Sequence, residues 1–309
     1  MTSPQGLLSK STRPLLLSGG LLLVCLGCYL AVQAAKEQGD THPEIKTKLT
    51  PLAAALPKPE PSDWLAKYPE EGQTFEQYLR AKPVRRNAKL AKIYICQIGD
   101  FTPAQRDVLT ATEQYLSILF DAPVIQRRQV ALADIPPRGE RRDEERHQIR
   151  TTYVLNDILG PDRPQDALAY LAFTATDLYP KEDMNFVFGQ ATLSERVGVW
   201  SIHRMGDPAE SEEAFRLCLL RTMKIAGHET GHILSMPHCI AFHCGMNGCN
   251  NRGELDRHPL AFCPVCFRKL CWNLQVNPQE YLQKLAKFCE EQKLSEEAAH
   301  FAKQSAALK

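Results

Sequence analysis

The first pattern along the chain is one of unbroken apolarity. Residues 15–35 (LLLSGGLLLVCLGCYLAVQAA) carry no charge and are long enough to span a bilayer. Lys10 and Arg13 precede the run and favour an inside amino terminus with the remainder of the chain exported. Three fates compete: an uncut single-pass anchor, cleavage at Val32-x-Ala34 with release, or lipid attachment at Cys28 of a degraded lipobox, Cys25-Leu26-Gly27-Cys28. The expectation is a membrane-anchored protein with its main domain outside the cytoplasm, or a secreted one if the segment (1–35) is cleaved. Residues 36–62, punctuated by Pro51, Pro57, Pro59 and Pro61, read as a semi-extended tether. A short helical piece with Phe75, Tyr78 and Leu79 follows, and this second region closes near residue 88 on a basic turn at Arg85-Arg86, read as a solvated face.

From Lys89 the periodicity changes. Leu90 to Ile98 alternates and is rich in Ile and Tyr, which predicts a strand. Thr102-Pro103 opens a helix whose core face is Val108, Leu109, Ala111, Thr112, Tyr115, Leu116 and Leu119. Ala122–Val130 predicts a second strand, and the charge-dense stretch from Pro136 to Arg150 a mobile surface loop or frayed helix start. Thr151–Leu159 reads as helix, and Ala167–Thr176 as a buried central strand, although a short apolar run does not by itself exclude buried helix. Asn185–Phe188 and Val197–Ile202 predict two more strands. Asp207-Pro208-Ala209-Glu210 predicts the start of a helix that is apolar nearly all round and therefore buried. Phe267–Leu274 continues as helix, and Pro278 restarts a last amphipathic one within 276–309, ending in a soluble tail. The whole is a mixed α/β (α+β) fold with its main domain over 89–275 and no internal repeats.

Composition sharpens this only in part. With 37 basic and 36 acidic residues the net charge is +1, which implies no broad attraction to nucleic acid. Six of the eleven cysteines (Cys239, Cys244, Cys249, Cys263, Cys266 and Cys271) crowd one stretch, which argues for metal rather than a disulfide scaffold.

The chemistry lies between His228 and Cys266. His228 and His232 are four residues apart on a helix, so both imidazoles reach one ion. Glu229 sits one step round, able to act on a metal-activated water without ligating the metal. Pro237 blocks a helical hydrogen bond, so the chain must turn after Leu234 to return His238 to the metal. Three neutral nitrogens with one open position describe a catalytic zinc site. Cys239-x4-Cys244 and Cys263-x2-Cys266 are thiolate pairs of the kind that close a tetrahedral zinc, with Pro264 favouring a tight knuckle; disulfides remain the alternative if the domain is exported.

These residues carry a resemblance. The run is similar to the archaemetzincins, zinc peptidases of the metzincin clan. The likeness extends through Ile93-Tyr94-Ile95, Gly99-Asp100-Phe101, Asp177-Leu178-Tyr179-Pro180, residues 185–191 (NFVFGQA), Gly198-Val199-Trp200 and Arg268-Lys269-Leu270. It implies a metzincin-like domain: a mixed twisted sheet, a buried active-site helix and a four-cysteine zinc element. It further implies two zinc ions, one catalytic on His228, His232 and His238 and one structural on Cys239, Cys244, Cys263 and Cys266. Glu229 would be the general base, Met246 the methionine beneath the site, and a strand edge beside the metal the seat for substrate backbone. The family's usual glycine is replaced by Ser235. If that position is left-handed, serine costs on the order of 1–2 kcal/mol, and Ser235→Gly should be a gain.

The expected function is therefore a zinc metallopeptidase acting on peptides, aminopeptidase-like on small ones, with the chain a monomer. The competing reading is a zinc-stabilised binding module that has lost catalysis, with Ser235 its only support. No residue is identified as stabilising the tetrahedral oxyanion; Tyr179 and His203 are guesses, with a structural role the alternative for each.

Overall fold

The computed structural model describes residues 41–142 and 146–309. The segment expected to be a loose tether begins with helix α1, Pro43–Leu49, which has Pro in its first turn. Ile45 and Leu49, one helical turn apart, are fully buried, so the prolines that follow punctuate only a short link. Ala55 then forms a β-bridge with Phe242. After α2, Trp64–Lys67, and α3, Phe75–Arg80, the basic turn is packed rather than solvated. Arg85 stacks 4.1 Å over the Trp272 ring, and Arg86 donates to Leu274 O.

Strand β1, Lys92–Ile98, leads to helix α4, Pro103–Leu119. A reciprocal capping box between Thr102 and Gln105, with Pro103 at the first helical position, fixes its start. Its buried residues are the seven its periodicity predicts. After β2, Val124–Val130, the charge-dense stretch forms a hairpin instead of a loop: β3, Glu140–Arg142, pairs antiparallel with β4, His147–Arg150. Gln148 and Ile149 are its buried members, too few to raise an alternating signal above the surrounding charge. Thr151–Tyr153 runs into a π-helix, Val154–Leu159. Strand β5, Ala167–Thr174, is buried along its whole length. After β6, Asp177–Tyr179, the expected strand at 185–188 is reduced to a single Leu178–Val187 bridge, and pairing begins one residue later in β7, Gly189–Ala191. β8 is Val197–Ser201.

The main sheet has the order β2-β1-β5-β8-β7, parallel except for β7, which closes one edge antiparallel to β8. A second sheet has the order β3-β4-β6, with β4 antiparallel to β3 and parallel to β6. Central β5 alternates between two cores, which explains its continuous apolarity. Leu171 and Phe173 face the helical core; Tyr170 and Ala172 face the residues around the π-helix.

The long helix α5, Glu212–Ile233, starts four residues later than the Asp207-Pro208 signal suggests. Asp207 instead caps a separate turn, accepting from Ala209 N at 2.9 Å, and Ser211 caps the helix through Ala214 N at 3.0 Å. Leu217 on its first turns is exposed, so burial is complete only towards its far end. Helix α6, Arg252–Arg257, precedes α7, Pro264–Leu274. Pro264 takes the first position of α7 rather than making a knuckle. After α8, Pro278–Glu291, the expected tail is a further helix, α9, Ser295–Ala307, pinned by buried Phe301.

The membrane expectation is corrected. Among the described residues no helix is long and apolar enough to cross a membrane, and the apolar run at 15–35 lies outside them. Nothing in the fold therefore supports placing the domain at a membrane or beyond one.

Candidate active site

Helix α5 carries His228 and His232 to its carboxyl end, and a Schellman turn stops it. Ser235 N donates to His232 O at 2.8 Å and Met236 N to Gly231 O at 3.2 Å. Ser235 adopts φ 65°, the left-handed conformation this turn demands. Its hydroxyl offsets the strain: it donates to Leu193 O at 2.8 Å and accepts from Val84 N at 3.1 Å. The serine in place of glycine thus leaves the helix-ending turn intact. Tyr78 braces the same corner, its hydroxyl donating to Leu234 O at 2.8 Å.

The turn brings His238 back against the helix. Ring centroids of the three histidines lie 4.5, 5.1 and 4.9 Å apart. Each ring gives Nδ1 to an acceptor: His228 to Gly245 O at 3.0 Å, His232 to Met236 O at 2.7 Å, His238 to the Glu70 carboxylate at 2.8 Å. The proton therefore sits on Nδ1, and Nε2 is left with its lone pair. His228 Nε2 and His232 Nε2 face each other at 3.0 Å, an arrangement that suits two ligands of one tetrahedral cation. Burial holds His228 well below the ordinary histidine range and His232 down to about 4, so both rings are neutral at pH 7.

Glu229 is buried beside them, and burial pushes its carboxyl up to about 8. A dication at the histidines would draw it back, since nearby positive charge favours the carboxylate. Gly189 on β7 lies directly against it: a Cβ there would come within 2.8 Å of Glu229 Cγ and Oε1. Met246 lies beneath the helix, its Sδ against Gly231 where a Cβ would clash. The histidines and Glu229 open into a cavity of about 280 Å³ walled by Trp64, Phe186, Phe188, Gln190 and Asn250. Larger cavities of 550 and 480 Å³ lie elsewhere and hold none of these four residues.

Neither oxyanion candidate reaches the cavity. Tyr179 is buried on β6, accepting from Arg150 Nε at 3.2 Å under the Arg141 guanidinium. His203 is an exposed turn residue after β8. Sequence reasoning missed Glu70 and Gly189. The glycine had a signal, since glycine at a strand end marks close approach of another group; Glu70, 168 residues from its partner, had none.

Cys239, Cys244, Cys263 and Cys266 converge, each buried, with sulfurs all within 4.8 Å of one another. All nine described cysteines are free thiols, so the disulfide alternative finds no pair here. Cys263 occupies the N-cap position of α7 and Cys266 lies in its first turn, so the start of this helix sets the spacing of one pair of sulfurs. Hydrogen bonds from Cys244, Cys263 and Cys266 hold Cys239 far below the thiol range, while burial pushes Cys244 up. Four thiols so placed suit a single tetrahedral cation. Cys239 N donates to Met246 O at 2.7 Å, which ties this cluster to the floor of the histidine site.

A mixed sheet with an antiparallel edge strand beside a His-Glu-x-x-His helix defines a zinc metallopeptidase. Residues 163–271 match the model for peptidase family M54. The chain is 30% identical over 276 residues to archaemetzincin-2 of Mus musculus, covering 77% of this chain and 75% of that one. It is 31% identical to archaemetzincin-2 of Homo sapiens over 243 residues, covering 68% and 67%. The crystal structure of archaemetzincin from Methanopyrus kandleri superposes with a TM-score of 0.50 at 26% identity, covering 62% of this chain and 99% of that one. The chain belongs to the archaemetzincins and is a zinc-dependent peptidase.

Proposed function

We infer that His228, His232 and His238 hold the catalytic zinc through Nε2, that Glu229 is the general base, and that the four cysteines hold a second, structural zinc. Bound zinc supplies an acidified water and polarises the scissile carbonyl. Glu229 takes the proton of the attacking water and passes it to the leaving amine. Substrate backbone is held along β7. Its register with β8 pairs Gly189 with Trp200 and Ala191 with Gly198, and Phe188 and Thr192 spend their backbone bonds on β8. By the alternation of an antiparallel ladder, Gly189 and Ala191 turn their N–H and C=O to the open edge, where an extended peptide can add. A cavity of about 280 Å³ walled by Trp64, Phe186 and Phe188 suits small peptides, in keeping with aminopeptidase-like action. The functional unit is residues 89–275 together with the upstream segment that brings Trp64 and Glu70 to the site.

The observation that carries this reading is the convergence of three Nδ1-tethered imidazoles beside one buried carboxylate. Turnover of a quenched peptide library, lost on chelation and restored by zinc, is the expected result. A metal-replete chain that cleaves no member of the library would leave only the binding-module reading.

A further inference from the structure

The three histidines are not held alike. His228 and His232 each give Nδ1 to a neutral backbone carbonyl, whereas His238 gives it to a carboxylate, with both Glu70 oxygens in range at 2.8 and 3.0 Å. Glu70 comes from a strap, residues 60–72, far upstream of the histidines, and its Ser62–Trp64 end is fastened to residues 250–257. The Glu254 carboxylate accepts from Trp64 N at 2.9 and 3.1 Å and from Asn250 N at 2.7 Å. Arg257 pairs with Asp63 at 2.6 Å, and Asn250 Nδ2 donates to Ser62 O at 3.1 Å. Trp64 then does two things at once. Its indole Nε1 donates to Glu70 Oε1 at 2.7 Å, and its ring stands edge-on to His238 with centroids 5.2 Å apart. Gly248 makes room for that ring, since a Cβ there would lie 2.5 Å from the indole.

We propose that Glu70 is a positioning residue for the catalytic metal, fixing the tautomer of His238 and lending charge to that one ligand, with Trp64 locking Glu70 in place. This rests on the reading of the three histidines as zinc ligands. A carbonyl acceptor orients an imidazole; a carboxylate also makes it a stronger donor, and such partners are commonly worth 10–100-fold in metal affinity. The loop histidine needs this most. His228 and His232 are fixed by one helix, but His238 follows a left-handed turn and Pro237, with no helix to hold its ring.

The test uses the full chain, with cobalt(II) substituted for zinc and chelator competition read site by site. The histidine site reports through its visible d–d bands and the cysteine cluster through sulfur-to-metal charge transfer, which serves as the internal control. Glu70→Ala should loosen metal at the histidines by about 10–100-fold and shift the d–d bands, leaving the charge-transfer bands unchanged. Glu70→Gln, which keeps one acceptor oxygen but no charge, should lose roughly tenfold. Trp64→Phe, which removes the indole donor but leaves the carboxylate on His238, should lose less than either. A folded Glu70→Ala chain with wild-type metal affinity and bands overturns the proposal. A Trp64→Phe chain with wild-type affinity and bands would overturn the locking role given to Trp64. If Glu70→Ala does not fold, Glu70→Gln decides, and wild-type affinity in that variant refutes the role of charge. A wild-type chain that shows no histidine d–d bands at all would instead remove the ligand reading beneath the proposal.

Discussion

Gly189→Ala is the substitution whose effect follows most directly from the geometry. The added methyl would stand 2.8 Å from Glu229 Cγ and Oε1, where carbon atoms ordinarily pack at about 3.5–4.0 Å. Something must move by about 1 Å. β7 is held by its ladder with β8, and the histidines by their Nδ1 bonds, so the side chain that gives is Glu229. If Glu229 is the general base proposed above, a displacement of about 1 Å costs about 100-fold in rate. Overpacking of this size also costs roughly 1–3 kcal/mol of stability. The expected variant is therefore folded, fully loaded with zinc at the histidines, and slowed about 100-fold in kcat. Steady-state peptide hydrolysis with metal analysis on the same sample reads both quantities. A Gly189→Ala enzyme within threefold of wild-type kcat would refute the reasoning, because Glu229 would then tolerate displacement that a general base cannot.

Three further predictions follow from the same site. Ser235→Gly relieves the left-handed strain but loses two hydrogen bonds, so thermal melts should show a net change within about 1 kcal/mol, while Ser235→Ala loses the bonds and keeps the strain and should melt lower than the glycine variant. Cys263→Ser should release one metal ion and destabilise the fold by several kcal/mol; an unchanged metal count and melting temperature would contradict a zinc at the cysteines. In metal-free protein Glu229 is raised to about 8, so the unfolded chain gives up this proton near pH 4.5 while the folded chain keeps it. Stability from this group is thus full below about pH 4.5 and is lost as pH rises towards 8, whereas His228 and His232, depressed by burial, act oppositely below their ordinary range. Denaturation of chelated wild-type and Glu229→Gln protein should show the variant gaining on wild type across that window, and a constant gap would exclude a buried, neutral Glu229.

Much of this site was legible because its information is local. The His-Glu-x-x-His spacing places two histidines on one helical face whatever surrounds it, and Pro237 forces the return of His238. A left-handed Ser235 was only a conditional expectation, raised by the glycine usual in the resembling family, and the structure shows it; the core face of Pro103–Leu119 follows from its periodicity alone. What escaped depends on partners distant in sequence. Glu70 reads as one more acid in a polar stretch until the strap lies over His238. The prolines near residue 57 masked a helix that buries Ile45 and Leu49, and the charges on Glu140–Arg150 masked a hairpin in which, among the described residues, Gln148 and Ile149 are buried. The last helix was hidden by alanine and polar residues that give little amphipathic contrast, and it is held by Phe301. The apolar run at 15–35 drew an inference about location from composition that the described fold does not support.

The most direct test of the central claim separates metal binding from chemistry at Glu229. Zinc content and peptide turnover are measured on one preparation of Glu229→Ala beside wild type. Glu229 is not among the three side chains that converge as a candidate metal site, so on the proposed reading the variant should carry wild-type zinc at the histidines and hydrolyse nothing measurable. Turnover comparable to wild type from that preparation would contradict the account, since peptide hydrolysis would then proceed without the base on which it rests.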